Sequence, residues 1–590
     1  MQNADVVLGV LRDRGEKGLP LERLYRQLFN EQLFLMAYGR IYANRGAMTP
    51  GVDGDTPDGM SLAKIRQIID TLRGDRYRFA PVRRVNIEKK NGTLRPLGLP
   101  TWADKLVGEV VRLLLEAYYE PQFSERSHGF RVGRGCHTAL DEIASTWTGT
   151  TWFIEGDITD CFGSLDHEVM LDILAENIHD GRFLGLVAGM LRAGYLEDFT
   201  WHATYSGAPQ GGVVSPILSN IYLDRLDKFV ERELIPAFTR GHARRRNPEY
   251  ASVTRRIGYW KSKGDRELVA RLRRIQQSVP SVDVNDPDYR RLRYVRYADD
   301  HVLGFVGTKA EAEEIKNKLA VFLHDELKLR LSPEKTLITH ARTHKARFLG
   351  YDIWTRLEDT WHRRGKRTLN GSIALGVPVD WVNNKCRSYQ RGQGKPLIRN
   401  ELIRTSDHAV VTVYGAEYRG YVQYYQMAGN LNWLNKIRWT MERSMLSTLA
   451  AKHRRPPWRI RERLKTTVDT PWGKRRCFEA VLRTPSGKEF TARFGGIPLR
   501  RNKHARLLDG AWPSRRESHL IARLKAGRCE LCQSQDGITV HHVRRLADLQ
   551  RYSLRDAPEW VQAMRARRSK TLIACARCHA NIHTGSTPPQ

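Results

Sequence analysis

Arg293-Tyr294-Val295-Arg296-Tyr297-Ala298-Asp299-Asp300-His301-Val302-Leu303-Gly304-Phe305-Val306 is the stretch that decides the fold. β-Branched and aromatic residues on both sides of Ala298-Asp299-Asp300 predict two strands, residues 293–297 and 301–306, joined by a tight turn. Two adjacent carboxylates in such a turn repel each other and lose solvation, so a chain keeps them only with compensation. A divalent cation supplies it. Upstream, Trp152-Phe153-Ile154-Glu155-Gly156 reads as a short apolar strand that ends at Asp157. A carboxylate at one strand end, beside a carboxylate turn on a neighbouring strand, can bind two Mg²⁺ ions. One ion would activate a 3′-hydroxyl and the other would hold a triphosphate. Asp157 and Asp299 are 299 − 157 = 142 residues apart, so only a tertiary fold can bring them together.

The composition agrees with such chemistry on nucleic acid. The 590 residues hold 98 Lys+Arg against 65 Asp+Glu, a net charge of +33. That excess repels itself unless a polyanion neutralises it, and each neutralised phosphate releases condensed counterions. The 41% hydrophobic content is enough for several real cores and speaks against intrinsic disorder. At about 150 residues per domain, the length allows roughly four units. No long apolar run, lipidation signal or signal-peptide layout is present, so the expectation is a cytoplasmic protein with no membrane partner.

Residues 1 to 80 read as mostly helical, broken by Met48-Thr49-Pro50-Gly51-Val52-Asp53-Gly54. A strand pair follows, residues 82–87 and 94–99, and then a helix at 104–119. Helices are expected from there to about 230, apart from the strand before Asp157. Residues 240–291 read as a basic insertion. A helix at 310–326 and a strand pair between 336 and 353 complete the first 360 residues. Farther on, Leu434, Ile437, Met441, Met445 and Leu449 share one helix face. Residues 454–520 are again basic, with Trp458, Trp472 and Trp512 interleaved, a composition suited to base or backbone contact.

Four of the eight cysteines fall in the last 62 residues as Cys529-x₂-Cys532 and Cys575-x₂-Cys578, with 42 residues between the pairs. Thiolates at this double-knuckle spacing suit tetrahedral Zn²⁺, which would stabilise a module too small for a core of its own. Between and after them lie His541-His542 and His579-x₃-His583, the latter at a spacing that places two imidazoles on one helix face.

These blocks resemble a known family. Asp157 with Phe162, Ala208-Pro209-Gln210-Gly211-Gly212-Val213-Val214-Ser215-Pro216 and Tyr297-Ala298-Asp299-Asp300 occur in the order found in reverse transcriptases. Ile87-Glu88-Lys89-Lys90-Asn91-Gly92-Thr93-Leu94-Arg95-Pro96-Leu97-Gly98-Leu99-Pro100 resembles their fingers hairpin. Ser127-His128-Gly129-Phe130-Arg131 and Arg347-Phe348-Leu349-Gly350-Tyr351 add two further blocks. The Met48–Gly54 run, with Gly420-Tyr421-Val422-Gln423-Tyr424-Tyr425 and Ser447-Thr448-Leu449-Ala450-Ala451-Lys452-His453, narrows the match to reverse transcriptases encoded in group II introns. The C-terminal histidines and cysteines look like an HNH nuclease motif whose middle Asn is absent from Lys570-Thr571-Leu572.

The resemblance implies a multidomain α+β fold. It comprises a right-hand polymerase with fingers and palm over 1–360, a helical maturase or thumb over 361–455, a basic DNA-binding segment over 456–520, and a zinc-stabilised ββα-type HNH module over 521–590. It implies polymerase catalysis at Asp157, Asp299 and Asp300 with Mg²⁺. Lys89 and Arg95 would hold the incoming dNTP, Gln210 would line its pocket and Phe162 would lie beneath its sugar. It implies His542 as a nuclease general base, with His541, His579 and His583 as ligands of a catalytic divalent ion. Cys529, Cys532, Cys575 and Cys578 would hold structural zinc. The implied partners are group II intron RNA, target DNA and dNTPs. The implied function is splicing assistance, DNA nicking and target-primed copying of the intron. Three rivals stand beside it. A splicing-only RNA-binding maturase would need none of the three carboxylates. A simple homing endonuclease would not need the first 450 residues. A reverse transcriptase of another bacterial retroelement would lack the maturase and nuclease blocks.

Overall fold

The computed structural model describes residues 3–44, 46–88, 92, 94–197, 200–202, 206–207, 212–283, 285–357, 362–363, 366–367, 370–483, 487–509, 518–552 and 557–584. The N-terminal part is helical: Ala4–Glu16, Glu31–Ile41 and Leu62–Arg73 precede the strands, and Trp102–Tyr119 follows them. Local chemistry sets where these helices begin. The side chains of Asn30, Ser61 and Thr101 each accept a hydrogen bond from a backbone N–H in the first turn that would otherwise lack a partner. The helix Trp102–Tyr119 is buried nearly all round, with Leu106, Val107, Val110 and Leu114 fully enclosed, so it forms the axis of the first core.

The strand pair expected at 82–99 is Val82–Glu88 against Leu94–Leu99, antiparallel. It continues into Tyr195–Glu197, which is parallel to the first strand, and Thr200–His202. Those two strands fall in a region expected to be helical. Three residues each are too few to show an alternation in the sequence.

The central sheet carries the acids. Its order is Arg291–Tyr297, Asp300–Val306, Trp152–Gly156 and Ile338–His340, with every neighbour antiparallel. The strand pair expected between 336 and 353 is in fact divided. Ile338–His340 joins this sheet, whereas Ala346–Phe348 pairs with Tyr351–Thr355, which pairs in turn with Ile373–Gly376. The basic insertion folds into two helices, Pro248–Ser262 and Arg266–Ser278.

A second core holds the later part of the chain. Leu434, Ile437, Met441, Met445 and Leu449, on the helix Leu434–His453, are all fully buried there. Burial of each such side chain contributes about 1.5–3 kcal/mol. The basic stretch beyond it is a three-stranded antiparallel sheet, Lys465–Thr470, Gly473–Arg483 and Glu489–Gly495. This sheet packs on the helix Asp407–Tyr424, closely enough that a Cβ on Gly415 would collide with the Arg493 carbonyl. Trp458 and Trp472 stay exposed, beneath the guanidinium groups of Arg459 and Arg500 respectively. Trp512 lies outside the described residues.

The C-terminal module pairs Ile538–His542 with Thr571–Cys575, and the helix Ala576–Thr584 follows. It is not detached from the rest. Leu520, Ile521, Leu524, Val540 and Ile573 belong to the same core as the N-terminal helices. No helix among the described residues is long and apolar enough to cross a membrane.

Candidate functional site

Sheet register brings the three acids together. Tyr297 lies opposite Asp300 across the turn, and Gly156 lies opposite His301 on the neighbouring strand, so Asp157 leaves the sheet beside Asp300. A Cβ on Gly156 would collide with the His301 ring, so only glycine lets the strand pass here. Ala298 has φ +56°, a left-handed conformation that costs a non-glycine residue energy and persists only when its surroundings enforce it.

Those surroundings centre on Arg296, which is fully buried. Its guanidinium pairs with Asp227 at 2.5 Å, and it donates to the Asn220 Oδ1 at 3.2 Å, the Ser127 Oγ at 2.9 Å and the Ala298 carbonyl at 2.9 Å. The last bond holds the carboxylate turn directly. Burial works against the charge on Arg296, but Asp227 more than offsets this and the arginine pKa stands raised. Tyr294 donates to the same Asp227 at 2.8 Å. Gly129 backs the turn from the other side, where a Cβ would strike the Ala298 backbone, and its carbonyl accepts from Asn220 at 2.9 Å. The blocks quoted around Ser127 and Tyr297 are therefore neighbours in space.

The site requires positive charge. Burial, then Asp299, then Asp157 push the Asp300 carboxyl up to about 6. Lys335 already places its ammonium 2.9 Å from Asp157 Oδ2. Asp157, Asp299 and Asp300 repel one another here, and positive charge relieves that repulsion. Lys335 was not picked out in the sequence, and neither was Asp509. The Asp509 carboxylate accepts from Tyr297 Oη at 2.7 Å and from the Phe130 backbone N–H at 3.1 Å, which brings the end of the basic segment to the mouth of this site.

Phe162, half-buried on the short helix Cys161–Ser164, lies edge-on to Phe130 at 6.4 Å, and Phe130 lies 6.5 Å from Tyr297. Arg95 sits in the strand Leu94–Leu99 opposite Ile87. Lys89 and Gln210 lie outside the described residues. Tyr424 and Tyr425 direct their hydroxyls at the polymerase part of the chain, donating to the carbonyls of Leu349 at 2.6 Å and Gly350 at 3.1 Å.

At the other end of the chain, Cys529, Cys532, Cys575 and Cys578 bring their sulfurs within 4.8 Å of one another. Cys532 and Cys575 are 3.6 Å apart, and the Cys578 backbone N–H points at the Cys575 sulfur. Burial and then the neighbouring thiols raise the Cys578 pKa, a penalty that a bound cation removes. Four thiols in this arrangement fit a zinc ion.

A second convergent group joins His541, His579 and His583 to Asp58, whose donor atoms also lie within 4.8 Å of one another. His541 and His542 end the strand Ile538–His542, and His579 and His583 lie on one face of the helix Ala576–Thr584. Burial, foremost, lowers His542 to about 4, so its imidazole is neutral near pH 7. Asp58 comes from the N-terminal part of the chain, and no sequence signal links it to the histidines.

The comparisons with known proteins follow this division. Residues 87–353 match the reverse transcriptase (RNA-dependent DNA polymerase) family, residues 371–460 the type II intron maturase family, and residues 529–579 the AI2M/AI1M-like HNH endonuclease family. The chain is thus a reverse transcriptase joined to a maturase domain and an HNH endonuclease domain. It is 38% identical to the group II intron-encoded protein LtrA of Lactococcus lactis subsp. cremoris, over 95% of each chain. It is 33% identical to a 91 kDa protein in the cob intron of Schizosaccharomyces pombe, over 97% of this chain and 71% of that one. It is 34% identical to protein YkfC of Escherichia coli, over 55% of this chain and 81% of that one. The chain belongs to the group II intron-encoded reverse transcriptase and maturase family.

Proposed function

We propose that this protein assists the splicing and the mobility of a group II intron. It binds the intron RNA, assists its splicing, nicks target DNA with the C-terminal module and copies the intron from the new 3′ end. The observation that carries this reading is the sheet register that sets Asp157 beside the Tyr297–Asp300 turn. Asp157, Asp299 and Asp300 would hold Mg²⁺, which when bound activates the primer hydroxyl and neutralises the departing pyrophosphate. Lys89 and Arg95 clamp the triphosphate, Gln210 lines the nucleotide pocket and Phe162 lies against the sugar.

In the nuclease, His541, His579 and His583 hold a divalent ion, and His542, neutral and buried, takes the proton from the attacking water. Cys529, Cys532, Cys575 and Cys578 hold structural Zn²⁺. The residues are organised as a right-hand polymerase, with fingers and palm over 1–360 and a thumb or maturase region over 361–455. A DNA-binding segment over 456–520 and the nuclease over 521–590 complete the chain. Its exposed Trp458 and Trp472, each stacked by an arginine, suit nucleic-acid contact. The place of action is the cytoplasm.

The test is primer extension on an RNA template with dNTPs and Mg²⁺, beside filter binding of intron RNA and nicking of duplex target DNA. Extension that is lost in Asp299→Ala while RNA binding persists is the expected result. Extension by Asp299→Ala at the parent rate would overturn the site.

A further inference from the structure

Among the described residues, the nuclease histidines do not stand alone. The loop that carries Asp58 reaches them from the polymerase part of the chain and is fixed there by main-chain pairing. The Gly59 N–H donates to the Val540 carbonyl, and the Val540 N–H donates to the Met60 carbonyl, both at 2.8 Å. This adds a bridge to the edge of the strand Ile538–His542. Asp58 Oδ1 also accepts from the His542 backbone N–H at 2.7 Å. So held, the carboxylate faces all three imidazoles. Oδ1 is 3.2 Å from His541 Nδ1 and 3.2 Å from His579 Nε2, and Oδ2 is 2.8 Å from His583 Nε2.

The second observation is the state of the His541 ring. His541 is 5% exposed, yet neither of its ring nitrogens has a hydrogen-bond partner. Its Nδ1, though close to Asp58, is not aligned for a hydrogen bond. Within the set His579 hydrogen-bonds to Asp58 Oδ1 at 3.2 Å, yet the buried His541 ring stays unsatisfied, and buried polar nitrogens are normally paired. Trp560 covers the outer side of the His541 ring at 5.3 Å.

We propose that Asp58 is a fourth protein ligand of the divalent ion held by His541, His579 and His583, supplied to the nuclease by the polymerase part of the chain. The proposal rests on the reading of those histidines as metal ligands given above. Three imidazoles and one carboxylate form a complete tetrahedral set, whereas a catalytic site keeps a position open for substrate. A DNA phosphate therefore either displaces Asp58 or enters as a fifth ligand, and the nuclease ion responds to where the polymerase part lies.

The test uses the full chain with its cysteines loaded with zinc, titrated calorimetrically with Ni²⁺, an ion that imidazole binds better than an all-oxygen site does. The parent chain should bind one Ni²⁺ that is lost in His541→Ala. Asp58→Asn keeps an acceptor for the His542 N–H, and the loop contact rests on the backbone of Gly59, Met60 and Val540. This variant should weaken Ni²⁺ at least about tenfold, as loss of a coordinating or orienting group does. A second variant, Asp58→Cys, loaded with Co²⁺ in place of Ni²⁺, should add a thiolate-to-cobalt charge-transfer band that the parent lacks. Parent affinity in Asp58→Asn, or no new band in Asp58→Cys, with His541→Ala still abolishing binding, would overturn the role of Asp58 alone. Binding that survives His541→Ala would overturn the nuclease metal reading beneath it.

Discussion

The polymerase acids and the nuclease histidines both gather charge at one point, but the chain holds them there by opposite means. The acids stand on a four-stranded sheet, with the turn between them tied to the buried Arg296–Asp227 pair. The large core behind them does the positioning. The histidines stand on a two-stranded sheet and one helix, with the four cysteines alongside. Two strands are marginal in water by themselves. The module makes up the difference with its cysteine cluster, with Leu520, Ile521 and Leu524 placed in the first core, and with the Asp58 loop. Where a site has its own core, that core positions it. Where it has little, the neighbouring chain becomes a structural member.

The largest expected effect is at the acids. Asp299→Ala should reduce RNA-templated DNA synthesis by at least about 10²–10³-fold, the scale on which loss of one transition-state charge stabiliser is felt. The melting curve should barely change, because the substitution relieves repulsion within a sheet that stands without it. A large drop in melting temperature would break the comparison, since it would make these acids structural. The nuclease should behave the other way. Cys575→Ser should lower zinc content by elemental analysis, unfold the module and abolish nicking, while primer extension continues. His542→Ala should retain zinc and lower nicking by about 10²–10⁴-fold, the range for loss of a general base.

Arg296 sharpens the contrast from the polymerase side. Arg296→Met leaves Asp227 charged and buried without its cationic partner, a change that costs about 3–5 kcal/mol. The polymerase transition in a thermal melt should fall clearly, and activity should fall with it as the turn loses the bond to the Ala298 carbonyl. A melting curve unchanged from the parent would mean that strand pairing alone holds the turn.

What could be read in the sequence followed from how local the signal was. The acid turn, the strand before Asp157, the buried stripe from Leu434 to Leu449 and the two CxxC pairs each fit within one element or one spacing rule, and the structure places all of them as expected. Arg296 stood in plain view inside the deciding stretch, but its partner Asp227 is on a separate helix and no pattern links them. Lys335, Asp509 and Asp58 were missed for the same reason, because each meets its site only through tertiary folding. The sheet over 465–495 was hidden differently. Its outward residues are Lys, Arg, Thr and Glu, with only a few buried positions such as Cys477, Phe478, Ala492 and Phe494, so charge obscured the alternation. The helices of the basic insertion bury only Val253, Val269 and Leu272. Three apolar residues give little helical periodicity to detect.

The smallest effect expected is also the most specific. Phe162 follows Asp157 by five residues, on a short helix entered through Asp160 at φ +42°. If Phe162 only anchored this turn, its ring would be enclosed. Instead it is half-buried and meets Phe130, itself 45% exposed, which leads to Tyr297 of the acid turn. An aromatic wall placed there leaves little room for a 2′-hydroxyl on an incoming nucleotide. Forcing an extra group into a close-packed space costs about 1–3 kcal/mol, which corresponds to about 5- to 150-fold in discrimination. Phe162→Val should therefore raise the ratio of ribonucleotide to deoxyribonucleotide kcat/KM within that range, with a smaller loss in dNTP use. The nuclease offers an internal control, since nicking by the same preparation should not change. A folded, active Phe162→Val enzyme with the parent ratio would leave the ring as a packing residue, and sugar discrimination would have to come from another part of the pocket.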